Sequence, residues 1–380
     1  MKARVIAFYL PQFHPIPINN KYYGNGFTEW TNVGKAKPLF PGHYQPHVPA
    51  DLGYYDLRNP ETRALQANLA EEAGIEGFCY YHYWFGRGHK ELHIPFEKVV
   101  ESGKPNFPFC LCWANQSWYA KFWSKSQMSD KQPIAIQEYD DEEGNREHFL
   151  YLLKAFMDER YIKVDGKLLF MIYRPLEFPG IKDFIKQWRH LADEYKLPGF
   201  NFIAQATCER DARDILSLGF DGCNLVRLNE VLLNRSKKLK SILYLKKLFR
   251  LFRMTLWSLS GLEGATGLKQ FGGVLPVEYS EAIQSMNVEG GIESEDNIFP
   301  TILPNWDHSP RSGINALVLH NSTPELFRKH IADILKYVKN KPYEKKIIFL
   351  KSWNEWGEGN YMEPDLKWGH GYLLALRDML

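Results

Sequence analysis

Lys351 to Asp365, KSWNEWGEGNYMEPD, holds four carboxylates, two tryptophans and two glycines in fifteen residues, directly after an apolar run. Glu355 and Glu358 stand three apart. Cleaving an acetal C–O bond takes two carboxyl groups at one carbon, one protonated to serve the leaving oxygen and one ionised to act as base or nucleophile. Crowding two carboxyls in a poorly solvated pocket drives their pKa values apart, which suits a close pair to dividing that work. Gly357 and Gly359 allow the backbone to turn tightly between them. Trp353 and Trp356 offer apolar walls that raise a neighbouring acid's pKa and faces on which a sugar ring stacks. A Glu pair at this spacing also occurs on any surface helix, so its place at a strand end between tryptophans carries the reading. Glu363 and Asp365 fit equally well as partners of backbone amides or as caps of the last helix.

Such a pair needs a frame. Eight short, mostly apolar runs read as buried strands: Val5–Leu10, Gly77–Phe85, Phe107–Asn115, Leu168–Arg174, Asn201–Thr207, Gly222–Arg227, Ile298–Asp307 and Ile347–Trp356. Helical periodicity lies between most of them, at Glu61–Ala73, Glu147–Arg160, Ile181–Lys196 and Thr323–Lys339. Eight strand–helix units predict an α/β chain folded as one (β/α)8 TIM barrel with long βα loops, a single domain over residues 1–380. The alternative is a doubly wound open sheet, although no glycine-rich phosphate turn follows the first strand.

The strand ends gather polar and aromatic residues, as a barrel's catalytic rim does. Tyr9, Gln12 and His14 follow the first run; His82, Tyr83 and Trp84 close the second; Trp113 and Asn115 close the third. Tyr173 and Arg174, then Asn305, Trp306 and Asp307, then Trp353, Asn354 and Trp356 end later runs. With Glu29 and Trp30 from the first loop, these are the expected substrate-binding residues, lining a cleft as hydrogen-bond partners and stacking faces. The loop at 15–53 is rich in Gly, Pro, Tyr and His, and its length without structure of its own predicts a partial lid over the barrel mouth.

Bulk properties narrow the function. A net charge of +2 gives no electrostatic footprint for nucleic acid. Aromatic residues make up 15%, with 11 Trp and 21 Tyr, which suits ligands that stack on flat faces as well as a large aromatic core. The five cysteines are scattered in or beside apolar runs and read as buried free thiols. Cys110 and Cys112 alternate on one strand without a second Cys/His pair, so no metal is expected, and no cofactor. The opening MKARVIAFYL lacks a signal-peptide layout, and the expectation is the cytoplasm. One inserted segment, at about 236–260, interleaves Lys and Arg with Leu, Phe and Trp and carries no acid. It is of the type that rests on an anionic membrane surface, here the inner face of the cytoplasmic membrane, or else docks on the barrel with its charges in water. The sequence leaves the oligomeric state open.

AFYLPQFHPIP, GFTEWTNVGKAKPLFPGHYQPHVPADLGYYDLR, GIEGFCYYHYWF, PFCLCWANQSW, YIKVDGKLLFMIYRP, FPTILPNWDHSPR, NSTPELF and WNEWGEGNYMEPD together resemble the WbsX-type family. Its members occur in bacterial O-antigen and capsule loci and are often described as glycosyltransferases. The family is similar to glycoside hydrolase family 99, the endo-α-1,2-mannosidases and mannanases. The resemblance runs from residue 5 to about residue 376. It implies a (β/α)8 barrel and a retaining, endo-acting glycoside hydrolase. The family 99 run E-W-x-E-G falls on Glu355–Gly359. By that match Glu355 takes the proton from the sugar 2-hydroxyl, so that O2 attacks the anomeric carbon, while Glu358 protonates the departing oxygen and then activates water. Family 99 commonly has His where Gly357 stands.

Three readings follow. One is a hydrolase acting on a bacterial surface polysaccharide or oligosaccharide. The second is a glycosyltransferase or transglycosylase of O-antigen or capsule biosynthesis, although neither a D-x-D motif nor a glycine-rich turn is present for a sugar nucleotide. The third is a non-catalytic carbohydrate-binding barrel, which needs the tryptophans and not the glutamates.

Overall fold

A computed structural model describes residues 2–119, 133–233, 274 and 276–380. The basic segment at about 236–260 lies outside the described residues. The eight strands are β1 (Arg4–Tyr9), β2 (Gly77–Gly86), β3 (Phe109–Trp113), β4 (Lys167–Ile172), β5 (Phe200–Ala206), β6 (Gly222–Leu225), β7 (Ile298–Ile302) and β8 (Ile347–Leu350). Each pairs in parallel with its neighbours in chain order. β8 returns to β1 through Arg4↔Ile347 to Ala7↔Leu350, and β1 pairs with β2, so the sheet closes. The (β/α)8 barrel expected from the alternation is the observed fold.

Helices follow the strands and cover the outside: Pro60–Glu72, Ile94–Ser102, Glu142–Phe156, Ile181–Glu194, Glu209–Ser217, Tyr279–Met286, Pro324–Val338 and Gly371–Arg377. Local chemistry starts several of them. Asn59 accepts from Glu61 N at 3.1 Å and Thr323 from Leu326 N at 3.2 Å, each with Pro at the next position, where its missing N–H costs nothing. Asp141 accepts from Gly144 N and opens its helix five residues ahead of the apolar periodicity, so the predicted start at Glu147 was late.

Strand parity sorts the core into two layers. Phe8, Tyr81 and Phe349 turn into the barrel, with Phe8 stacked 5.5 Å from each of the other two. Cys79 pairs with Cys110 in register, and with Cys112 they are buried free thiols. Alternate residues face the helices: Trp188, fully buried, packs on Phe170 at 4.8 Å and Phe200 at 5.7 Å. Burying side chains of this size supplies about 2–3 kcal/mol each. Among the described residues no helix is long and apolar enough to cross a membrane.

The first loop differs from expectation. It contains two short helices, Pro17–Tyr23 and Glu29–Gly34, and it is fastened at its far end: Ala50 N donates to Pro364 O and Leu366 N to Val48 O. At the closure point, Asn354 bridges to β1's end, its Oδ1 accepting from Leu10 N at 2.7 Å and its Nδ2 donating to Leu10 O at 3.0 Å. Asn354→Ala leaves both buried backbone groups unpaired. The expected loss is about 2–4 kcal/mol, read from urea denaturation midpoints.

Candidate active site

Beyond β8 the chain forms a small hairpin. Asn354–Glu355 pairs antiparallel with Asn360–Tyr361, and the turn Trp356–Glu358 with Gly359 lies between. Gly359 has φ +57°, a left-handed conformation at which a Cβ would also sit 2.7 Å from Asp307 Cβ. Asp307 N donates to Glu358 O at 2.6 Å. Trp356 stacks on Tyr361 at 3.7 Å and donates through Nε1 to Glu363 at 2.6 Å. The hairpin is thereby held on both faces, and its two glutamates turn into the barrel mouth.

Both reach one guanidinium. Arg311 donates through Nη2 to Glu355 Oε2 at 2.9 Å and through Nη1 to Glu358 Oε1 at 2.6 Å. Its Nε donates to Glu29 Oε1 at 2.8 Å, so one arginine joins three carboxylates. Glu29 is 1% exposed and sits directly against Gly357, where any Cβ would overlap Glu29 Oε1. Glycine at position 357 is what lets the third carboxylate approach.

The two hairpin glutamates divide electrostatically. Burial pushes Glu355 up to about 7, and the charges of Glu358 and Glu29 add to this against the pull of Arg311 and Lys351. Glu358 is also buried, but Arg311, a hydrogen bond from His308 and the charge of Lys351 outweigh burial and hold it well below the ordinary carboxylate range. Burial works against the charge of Arg311, and its three carboxylates more than restore it. Below about pH 7 the pair holds one proton, and that proton favours Glu355. The resemblance gives Glu355 the base's part and Glu358 the acid's; the electrostatics of the pair run the other way.

A cavity of about 200 Å³ opens beside the pair. Of the residues expected from sequence, Gln12, Tyr83, Tyr173, Trp306, Glu355 and Glu358 line it, and Glu29 joins through Arg311. The others are elsewhere, mostly because of strand parity. His82 and Trp84 alternate with Tyr81 and Tyr83 and face the helix layer, where His82 meets His148 at 2.8 Å and Trp84 stacks on the same ring. Trp113 donates to Trp84 O, and Asn115 ties down Arg174 through its backbone N and O. Tyr9 donates to Gln66, a buried contact outside the barrel. The Arg174 side chain is 39% exposed and stands over Tyr173.

His14 is fully buried outside the cavity lining, and burial pushes it down to about 4. Trp30 packs on Phe13 and Trp356. Trp353 is fully buried against Phe78, and Asn354 is the bridge to β1. Asp307 accepts from His43, Gln45 and Ser309 N, so it anchors the first loop; Asn305 lines a smaller cavity of about 60 Å³ on that side. No residue of 15–53 is among those that line the larger cavity. The loop buttresses the hairpin and does not roof the site. Glu363 accepts from Tyr55, Gln66 and Trp356, and Asp365 from Lys367 N and Trp368 N, as structural partners.

Sequence reasoning missed Arg311, His308, Lys351, Gln116 and Trp118. Arg311 and His308 lie just past Asp307 in PNWDHSPR, a readable signal. Lys351 follows the IIFL run at the parity of Ile347 and Phe349, so a charge there points inward.

The family model described as "Glycosyltransferase WbsX" matches residues 5–376. The protein named "Uncharacterized protein WxcX" of Xanthomonas campestris pv. campestris, found in two strains, is 32% identical over 383 residues. That match covers 100% of this chain and 50% of the relative, so the chain spans about half the length of the curated relatives it matches. A solved "Glycoside hydrolase-like protein" superposes with TM-score 0.58 at 15% identity, over 99% of this chain and 93% of the other. The GH99 endo-alpha-mannosidase from Bacteroides thetaiotaomicron gives 0.55 at 14%, over 99% and 96%. At these identities the likeness shows the fold.

Arg311→Met strands three buried carboxylates. The expected loss of stability at pH 7 is about 3–5 kcal/mol. Glu355, already raised, then rises further and Glu358 loses the charge that holds it down, so the deficit shrinks as pH falls towards 5 and grows as pH rises. Urea midpoints at the two pH values check this. Gly357→Ala, which forces Glu29 off Arg311, is expected to cost about 1–3 kcal/mol in the same assay.

Proposed function

Because this chain belongs to the family described as glycosyltransferase WbsX, we propose that it is a carbohydrate-active enzyme. In this reading it is a retaining, endo-acting glycoside hydrolase whose substrate is a bacterial surface polysaccharide of the O-antigen or capsule type. The observation that carries the reading is the pair of glutamates on one guanidinium at the barrel mouth, with their proton affinities pushed in opposite directions. Two carboxyls with separated pKa values and a shared cavity are what acid–base cleavage of an acetal requires.

We read the roles from the direction in which each glutamate is pushed. Glu355, raised to about 7, is the acid that protonates the leaving oxygen. Glu358, held ionised, is the base that takes the proton of the sugar 2-hydroxyl, so that O2 closes on the anomeric carbon. Water then opens that intermediate, Glu355 accepting the water proton while Glu358 returns its own to O2 as the C1–O2 bond breaks. Trp306, Tyr173 and Tyr83 supply stacking faces for the ring.

The family's own description favours a second reading, in which a sugar hydroxyl replaces water and the product is a transferred glycan. The same two glutamates would serve it. The Arg311 guanidinium is engaged by three carboxylates and offers little to a sugar-nucleotide diphosphate.

The test is incubation with α-mannan, with oligosaccharides from the host's own polysaccharide and with sugar nucleotides, products being followed by mass spectrometry. Oligosaccharide release without a nucleotide is expected. Glu355→Gln and Glu358→Gln should each lower it by about 10²–10⁴-fold. Turnover that demands a sugar nucleotide replaces the hydrolase by a transferase. The acid form of Glu355 prevails below pH 7 and is lost above it, so kcat/KM should fall on the alkaline side near 7. With an activated aryl glycoside, whose leaving group needs no proton, that limb should vanish. Glu355→Gln should keep its kcat/KM on that substrate, with kcat limited by the water step, and Glu358→Gln should lose both.

A further inference from the structure

Two positively charged residues line the larger cavity, Arg311 and Lys351. Arg311 is saturated, each of its three nitrogens donating to a different carboxylate. Lys351 is not. It is 6% exposed, and its ammonium has no hydrogen bond or ion pair with any described residue. Phe8, Tyr173 and Trp306 surround it, each ring centroid 5.8 Å from Nζ.

Ring faces attract a cation, by roughly 0.5–2 kcal/mol, but they do not replace the oxygen acceptors that an ammonium's three N–H groups lose on leaving water. The collar gains nothing as packing from that charge, because Met would fill the same space without the desolvation cost. Glu355 and Glu358 feel the ammonium at a distance, yet they are bonded to Arg311 and not to it. An ammonium on a buried stem, facing a cavity with its donors unspent on any described residue, is placed to meet an anion that enters there.

We propose that Lys351 is a specificity-determining residue that pairs with an anionic substituent on the sugar, a carboxylate or a phosphoryl group, and that the substrate is therefore an acidic glycan. The proposal rests on the reading of this cavity as a glycan site. The aromatic collar gives the pairing its selectivity: a sugar ring stacks on Trp306 or Tyr173 while its acidic group meets Nζ in low dielectric, where a charge-assisted hydrogen bond is strong. A neutral sugar leaves the ammonium with hydroxyl partners only.

The experiment measures binding of matched monosaccharides to the whole chain by ligand-observed NMR: glucuronic acid against glucose, galacturonic acid against galactose, and mannose 6-phosphate against mannose. At least one acid is expected to bind about tenfold or more tighter than its neutral partner. Preference among the uronic acids alone identifies a carboxylate, and preference for mannose 6-phosphate alone a phosphoryl group. Lys351→Met should reduce the preference to within about twofold without lowering stability to urea, and Lys351→Arg should keep part of it. The proposal is overturned if no acid binds, if neutral partners bind as well as acids, or if the preference survives Lys351→Met. It is also overturned if that substitution weakens acids and neutrals alike, the outcome expected were Lys351 merely balancing the glutamates. Free monosaccharides bind without bond cleavage. Glycan cleavage with no acid preference thus removes this proposal alone, and acid preference with no cleavage removes the hydrolase reading alone.

Discussion

Arg311 joins Glu29, Glu355 and Glu358 on three adjacent nitrogens, and the site's chemistry depends on that junction. Three carboxylates at such range in a half-dry pocket repel one another strongly, and without a cation they would take up protons or move apart. The guanidinium is suited to the task because its charge does not titrate away and its donors point in fixed directions. Burial and the neighbouring charge of Glu358 push Glu355 up against its pull, while Arg311, His308 and Lys351 together hold Glu358 down. One residue thereby holds the three carboxylates together.

The junction draws on loops that leave three different strands. Glu29 comes after β1, Arg311 after β7, and the two glutamates after β8. Closing the barrel brings these loops side by side, since β8 lies between β1 and β7 in the sheet. Asn354 then fixes the hairpin to the end of β1, and Asp307 fixes it to the segment after β7 while its carboxylate holds His43 and Gln45 of the first loop. The charges are carried on backbone whose own hydrogen bonds are spent, so the field at the cavity is set before any ligand binds, the condition under which electrostatic stabilisation is most effective.

The barrel was readable because its evidence is local. Each strand is a short apolar run, each helix a periodic one, and a sequence displays both. The rim was readable only as a set of positions. His82 and Tyr83 look alike as candidates, yet one turns to the helices and the other to the cavity, and that depends on which parity points inward. The same alternation took Trp84, Trp113 and Asn115 out of the site. The lid expected of 15–53 became a buttress because its residues found partners in Asp307 and in the chain after β8, which no local pattern announces. Arg311 was in plain view, but a lone arginine beyond a strand end has no signature until the carboxylates it meets are known.

The sequence by itself determined the eight-stranded frame and the identity of the acidic pair, because apolar periodicity and a Glu-Trp-Gly-Glu turn are properties of neighbours along the chain. Only the tertiary structure decided which way each glutamate's proton affinity is pushed, why glycine stands at position 357, and that Lys351 faces the cavity without an acceptor among the described residues. Those outcomes depend on distances between groups far apart in the chain. Proton affinity in a buried site is set by what lies within a few ångströms through space, whatever its place in the sequence.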